Sequence, residues 1–508
     1  MRDWLATRAS ATPNATAIAA AGDAAEADTY ADLNERVEIL AGRLAARGVG
    51  VDDALVVCAE TRTEFVELAH AAQRLGAVLV PVNARLSAKE LSVRFDRVNP
   101  AVVVCEADTE AAVTDATDAT VLSVDKPEGC AESVASVRPE PFDLPEWELD
   151  NPLVVMFTSG TTGDPKGVVL TMGNVLASAT ASAFRLGLRD TDFWHVCLPM
   201  YHMGGLAPVY RSTLYGTTIA VQRDFEPRET LAAMEAADAT AVSLVPTMLE
   251  RLLDAGADGE AALAPLVDLR FVLLGGAACP PDLLERAQEQ NVPVAPTYGM
   301  TEAASQIATA TPEQARRNPD TVGNPVMFAE VTVVDEAGAV CDSGETGELV
   351  VTGPMVTPGY LDETATFGAF TNGGLRTGDL GHRDEDGQLY VHARVDDTII
   401  TGGENVDPNE VADAVRSHPA VEDCAVVGLP DEEWGERVAA LVVTDGAAVS
   451  ADEIREFCRD RLAGYKLPRT VAFANELPRT ASGTVDREAV EARLRSGADD
   501  GDGSVQIS

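Results

Sequence analysis

Short, wholly apolar runs alternate with amphipathic stretches along most of this chain, and few folds accept that order. After Thr29 the apolar positions Leu33, Val37, Leu40 and Leu44 recur at helical spacing, and the pattern stops near Gly48 and Gly50. Residues 54–58 then read as a buried strand, 64–75 as a helix, 77–82 as a strand, 89–98 as a helix and 101–105 as a strand. Such alternation predicts a layered α/β fold with a mainly parallel sheet.

The rhythm resumes after a Pro- and Glu-rich loop at 126–152, with strands expected at 153–157, 218–221, 239–245, 269–274 and 292–296. From Val322 the texture changes to short alternating segments, 330–334 and 347–351, split by Gly and Asp, which predicts a small antiparallel sheet or β-barrel. Beyond Asp396 it turns mixed: helix at 408–416, strands at 421–427 and 438–443, helix at 451–462, strand at 470–473. The expected organisation is a large domain over 1–395, β-rich from about 322, and a small α+β domain over 396–495. A polar, disordered tail is expected over 496–508. A chain of 508 residues has ample length for these units, and it shows no internal repeat.

Charge excludes several function classes. The chain carries 82 acidic against 38 basic residues, a formal net charge of −44, so polyanions and anionic membrane surfaces are repelled. Its 46% hydrophobic content nonetheless rules out wholesale disorder. The combination reads as adaptation to a salt-rich cytoplasm. Only four of the basic residues are lysines (Lys89, Lys126, Lys166 and Lys466), which gives each more interest. Eight cysteines lack any C-x-x-C pair, and six histidines lack zinc-site spacing, so buried thiols in a reducing compartment are expected and a zinc cage is not. No apolar stretch is long enough to span a bilayer, and no signal-like segment opens the chain.

The chemistry concentrates in residues 156–168, M-F-T-S-G-T-T-G-D-P-K-G-V, where an apolar strand runs into a turn. The glycines Gly160 and Gly163 let backbone N–H groups converge, the hydroxyls of Thr158, Ser159, Thr161 and Thr162 add donors, and Lys166 adds a full positive charge. Those properties suit a polyphosphate, although the order is not that of a Walker A loop.

This loop resembles the phosphate-binding signature of the adenylate-forming superfamily, which includes acyl- and aryl-CoA ligases, luciferases and peptide-synthetase adenylation domains. The resemblance covers nearly the whole chain. Residues 298–302, Y-G-M-T-E, are similar to a second signature, which implies that Thr301 contacts the AMP phosphate and Glu302 holds Mg²⁺. Residues 377–379, T-G-D, are similar to a segment whose aspartate, here Asp379, takes the ribose hydroxyls; Arg394 matches the arginine that follows, and Asp396 the hinge. By the same resemblance Gly276, Ala277, Ala278, Thr297, Tyr298 and Gly299 line the nucleotide. His202, Gly205, Thr247, Gly275 and Ser305 line the acyl pocket, and a mobile C-terminal domain brings Gly402, Gly403 and Glu404 to the thiol tunnel. The implied substrates are ATP with Mg²⁺, a carboxylic acid and a thiol. A carboxylate is a poor electrophile until joined to AMP, and the charge that builds on phosphate oxygens calls for Lys166, Thr161 and a cation on Glu302.

Coenzyme A is the thiol favoured by Trp434, which stands in D-E-E-W-G-E-R as a platform for an adenine ring or else as a partly buried core residue, and by Tyr465 and Lys466 in A-G-Y-K-L-P. Arg211 lies inside a mostly apolar run, 198–216. A guanidinium there needs an anion, either a second carboxylate on the substrate or one of the chain's own acids. Residues 243–254 and 298–307 resemble the o-succinylbenzoate–CoA ligases within the superfamily, whose substrate carries two carboxylates; other aryl or medium- to long-chain acids are the alternative.

One departure stands out. Where the family's final signature ends in S-G-K, this chain reads S-G-T, so Thr484 occupies the place of the adenylation lysine. Losing one preorganised donor of that kind typically costs about 10²–10³ in rate. Another cation (Arg487, Arg479 or Lys466) takes over, or adenylation is slow, or the chain is a silent nucleotide-binding protein. Loading of a carrier-protein thiol is a further class, and no fused carrier signature supports it.

Overall fold

The structure, a computed structural model, describes residues 3–19, 27–158, 165–257, 262–371, 373–401, 404–431, 434–444, 446, 449–459, 461–480, 484–498 and 504–506. They form two compact units, one of residues 1–331 with 351–375 and one of 332–350 with 376–508.

The first unit holds two large sheets. One has eight strands in the order Gly359–Tyr360, Lys166–Thr171, Pro152–Thr158, Val78–Pro81, Ala54–Cys58, Val102–Cys105, Thr120–Ser123 and Glu132–Ser133. Its inner pairs are parallel, as the apolar runs predict, and Leu55, Val57, Val102 and Val104 are fully buried. The strand Pro152–Thr158 also pairs antiparallel with Lys166–Thr171, which sets Thr158 opposite Lys166.

The other sheet has nine strands, with Val294–Met300, Phe271–Leu274, Ala241–Leu244, Phe193–Val196 and Thr218–Val221 consecutive and parallel. The strand expected to end at 296 continues to Met300 because Ser305–Thr309 folds back on it as an antiparallel partner. Gly299 permits that approach, since a Cβ there would sit 1.8 Å from the Ser305 carbonyl oxygen. Helices cover the sheets. Tyr30–Ala45 begins at a capping box in which Asp32 accepts from the Thr29 amide at 3.0 Å.

The small antiparallel sheet expected after Val322 is present, with Gly347–Thr352, Gly374–Arg383 and Leu389–Arg394 side by side. The mixed sheet that follows is built on the long pair Val421–Asp431 and Gly435–Thr444, flanked by Ile399–Thr401 and Thr470–Ala474, with helices Pro408–Arg416 and Ala451–Arg459. Helix Arg487–Ala498 runs past Ser496, and Ser504–Gln506 adds a parallel strand beside Thr470–Ala474.

Candidate functional site

Local sequence explains how each side chain is presented. Pairing of the Lys166 strand with Pro152–Thr158 sets Thr158 opposite Lys166, at the two ends of the glycine-rich segment, and Arg97 donates to the Pro165 carbonyl at 2.5 Å. Ser159, Gly160, Thr161, Thr162 and Gly163 lie outside the described residues. Thr301 and Glu302 form a single 3₁₀ turn between the two strands of the Val294–Thr309 hairpin, and Glu302 is 8% exposed. A side chain that carried no motif joins these two places. The Tyr360 hydroxyl donates to Glu302 Oε1 at 2.9 Å, and the Lys166 ammonium lies 5.5 Å from the centre of the Tyr360 ring.

Glu302 suits Mg²⁺ as a buried, oriented carboxylate oxygen. No group of three or more potential metal-ligating side chains occurs among the described residues. That donor set fits a cation that arrives with a polyphosphate and keeps phosphate and water ligands, as Mg²⁺ does.

The second cluster surrounds helix Met203–Tyr215. His202 caps it without a side-chain hydrogen bond; its Nε2 is buried and unpartnered, and burial holds the imidazole below its usual pKa, so the ring is neutral. Its loop is fixed from behind by the buried Thr61, whose hydroxyl donates to Leu198 O and accepts from Met200 N, both at 3.1 Å. Gly205 is required by packing, since a Cβ would lie 2.3 Å from Pro199 O. Arg211 is 2% exposed, and burial pushes its pKa down. Among the described residues no carboxylate pairs with it, and its one hydrogen bond is a long one, 3.5 Å to Ser178 Oγ. Ser178 in turn donates to Ala304 O at 2.7 Å. That bond reaches a strained pair, Ala304 at φ 50° and Ser305 at φ 121°, so Arg211 and Ser305 belong to one locality.

The predicted adenine-side loop follows the strand Phe271–Leu274. Gly276, Ala277 and Ala278 are exposed, and Gly276 adopts φ +83°. Gly275 must lack a Cβ, which would meet Thr297 Cγ2 at 2.7 Å. Thr297 bonds Ala308 O at 2.9 Å, while Tyr298 and Gly299 continue its strand. Thr247 stands in the first turn of Pro246–Ala257.

In the second unit Asp379 and Arg394 face each other on adjacent strands and pair at 3.2 Å. The T-G-D segment is held by Thr377 Oγ1, which donates to Leu349 O at 2.8 Å and accepts from Asp379 N at 3.1 Å. Asp396 lies within the 3₁₀ turn Val395–Asp397. Gly402 and Gly403 lie outside the described residues, and Glu404 opens the strand Glu404–Val406.

Trp434 is half-buried, not a bare platform, because the Arg469 guanidinium stacks 4.1 Å from its ring centre. Tyr465 is 36% exposed, and Lys466 binds both Glu410 oxygens at 2.6 and 2.7 Å. The three cations considered as replacements for the missing lysine all hold carboxylates: Lys466 with Glu410, Arg479 with Asp423 at 2.7 Å, and Arg487 with Asp397 at 3.1 Å. Thr484 Oγ1 lies 2.7 Å from Thr480 Oγ1.

Tyr360, Ser178 and Thr61 escaped sequence reasoning. Each acts across a long sequence separation, 58 residues for Tyr360 and Glu302, and none sits in a spacing that signals chemistry. The only hint was Gly359 beside Tyr360, at φ +152°.

Profiles of known families match most of the chain: AMP-binding enzyme over residues 5–361, and AMP-binding enzyme C-terminal domain over 410–484. A 2-succinylbenzoate–CoA ligase of Bacillus cereus (strain Q1) is 39% identical over 484 residues, 95% of this chain and 96% of the relative. The o-succinylbenzoate CoA synthetase of Bacillus subtilis in complex with the acyl-adenylate intermediate OSB-AMP superposes with TM-score 0.88 at 34% identity, over 97% of this chain and 98% of that one. The same enzyme in complex with ATP and magnesium ion gives TM-score 0.87 at 33% identity, over 97% and 99%.

Proposed function

The chain belongs to the AMP-binding enzyme family, and from that premise we propose that it is an ATP-dependent acid–CoA ligase. It joins 2-succinylbenzoate to coenzyme A through an acyl-adenylate, releasing AMP and pyrophosphate, a step of menaquinone biosynthesis. The observation that carries the choice of acid is Arg211, a buried guanidinium with no carboxylate partner among the described residues, beside the strained Ala304–Ser305 pair. An aryl dicarboxylate supplies the missing anion while its other carboxylate reacts.

In this reading the substrate carboxylate attacks the α-phosphorus of ATP, a new O–P bond forms and pyrophosphate leaves with the electrons of the broken P–O bond. Lys166 and Thr301 bind phosphate oxygens, and Asp379 takes the ribose hydroxyls, its position steadied by Arg394. Mg²⁺, held by Glu302 when it enters with ATP, neutralises charge on the phosphates. His202, neutral and partnerless at Nε2, is available to the acyl group. The CoA thiol then attacks the mixed anhydride and AMP leaves. For that half-reaction we place the domain division at 395/396, the hinge at Asp396, and Gly402, Gly403, Glu404, Trp434, Tyr465 and Lys466 toward CoA. The charge of −44 and the eight free thiols support a salt-rich, reducing cytoplasm as the working compartment, with no nucleic-acid partner.

The test is acid-dependent ATP–pyrophosphate exchange in high salt across an acid panel, followed by addition of CoA. Exchange driven by 2-succinylbenzoate and a CoA thioester product are expected. Exchange driven only by fatty or simple aryl acids moves the substrate assignment. Exchange without a thioester points to carrier loading, and none with any acid removes the ligase reading.

A further inference from the structure

Tyr360 occupies a position that the adenylation chemistry, as read above, does not explain, and it is built in with unusual care. It lies on the two-residue strand Gly359–Tyr360, which pairs antiparallel with the Lys166 strand, Tyr360 opposite Val168 and Gly359 opposite Val169. The approach to it is stapled from both sides. The buried Thr357 donates its amide to Glu302 O at 2.7 Å, and its hydroxyl donates to Val169 O and accepts from Gly359 N at 3.1 Å. The Tyr360 amide donates to Thr366 Oγ1 at 2.8 Å, and a Cβ at residue 359 would fall 2.5 Å from Thr366 Cγ2, so only glycine fits there. Backbone geometry thus fixes the phenol ring relative to both the Lys166 strand and the Glu302 turn.

We propose that Tyr360 is a positioning residue for capture of the Mg²⁺–ATP pair, its hydroxyl orienting the Glu302 carboxylate for the cation and its ring restraining the Lys166 ammonium. A carboxylate that keeps one oxygen on a phenol has a single orientation to offer a metal, and a cation on a ring face is held without a counter-anion that would compete with phosphate. In a chain with 82 acidic residues the second property matters, because an acid beside Lys166 would neutralise it. The inference rests on the ligase reading for the identity of the nucleotide, but its test does not need turnover.

Binding of ATP is measured by calorimetry in high salt as a function of Mg²⁺, using the full chain, Tyr360→Phe, Tyr360→Leu, Glu302→Gln and the double variant Tyr360→Phe/Glu302→Gln. Removing the hydroxyl alone raises the Mg²⁺ concentration for half-maximal binding about tenfold, as expected for loss of a hydrogen bond to a charged group, and leaves ATP affinity at saturating Mg²⁺ within about twofold. Removing the ring as well lowers that saturating affinity about fivefold further. In the Glu302→Gln background, Tyr360→Phe has no added effect on Mg²⁺ dependence. An unchanged Mg²⁺ dependence in Tyr360→Phe, additive effects in the double variant, or no Mg²⁺–ATP binding by the full chain overturns the proposal. Normal binding without acid-driven exchange would instead remove the ligase reading and leave Tyr360's role standing.

Discussion

Arg211 and Thr484 show how single residues define this protein's chemistry in opposite ways. Arg211 is a charge without a mate among the described residues, and desolvation already presses its pKa down. If the second carboxylate of the substrate is its partner, Arg211→Ala should reduce kcat/KM for 2-succinylbenzoate by about 30- to 10³-fold, the range for breaking a buried charge pair. An aryl acid with one carboxylate should lose far less. Steady-state kinetics on both acids checks this, and equal losses would reduce Arg211 to a packing role. Thr484 is a missing charge. With Lys466, Arg479 and Arg487 each holding a carboxylate, no replacement is idle in the second unit among those three. Thr484→Lys should therefore raise the ATP–pyrophosphate exchange rate about tenfold or more, part of the 10²–10³ that such a donor contributes. An unchanged rate would show that another cation already serves.

Among elements, helix Met203–Tyr215 gathers much of the acyl side of the site, since it starts at His202 and carries Gly205 and Arg211. It is clamped from outside by helix Thr63–Leu75, where His70 Nε2 lies 3.1 Å from Thr213 Oγ1 and the His70 ring packs edge-on to Tyr210. Burial pushes the His70 pKa from 6.5 to about 4. The unfolded chain therefore binds one more proton than the folded one between those values, and stability contributed by neutral His70 is lost as pH falls from 6.5 toward 4. Acid also relieves carboxylate repulsion, so the effect is best read as a difference. His70→Gln should flatten the fall in melting temperature across that window, relative to the parent chain, and identical pH profiles would dismiss it. The apolar run that forms this helix was visible in sequence, but its contact with residue 70 was not, since 143 positions separate His70 from Thr213.

At the scale of the whole molecule, charge governs stability. With −44 on 508 residues, self-repulsion opposes the compact state, and screening shortens from about 10 Å at 0.1 M salt to about 3 Å at 1 M. The melting temperature should rise by several degrees between 0.1 and 2 M KCl, followed by circular dichroism; a flat or falling curve would contradict salt adaptation. The strand–helix alternation and the order of the motifs were legible from residues alone, because apolar period and turn chemistry are local properties. So was Thr484 in place of the expected lysine. The extension of the strand to Met300 and the strand Ser504–Gln506 were not, because each depends on which edge supplies hydrogen-bond partners. For the same reason sequence determined that Lys166 and Glu302 would carry charge in phosphate-binding signatures and Arg211 in an apolar run, whereas tertiary structure alone decided their company: Tyr360 for Lys166 and Glu302, and Ser178 for Arg211. Which charges gather is written along the chain, but what surrounds a buried charge is set by residues that only folding brings within a few ångströms.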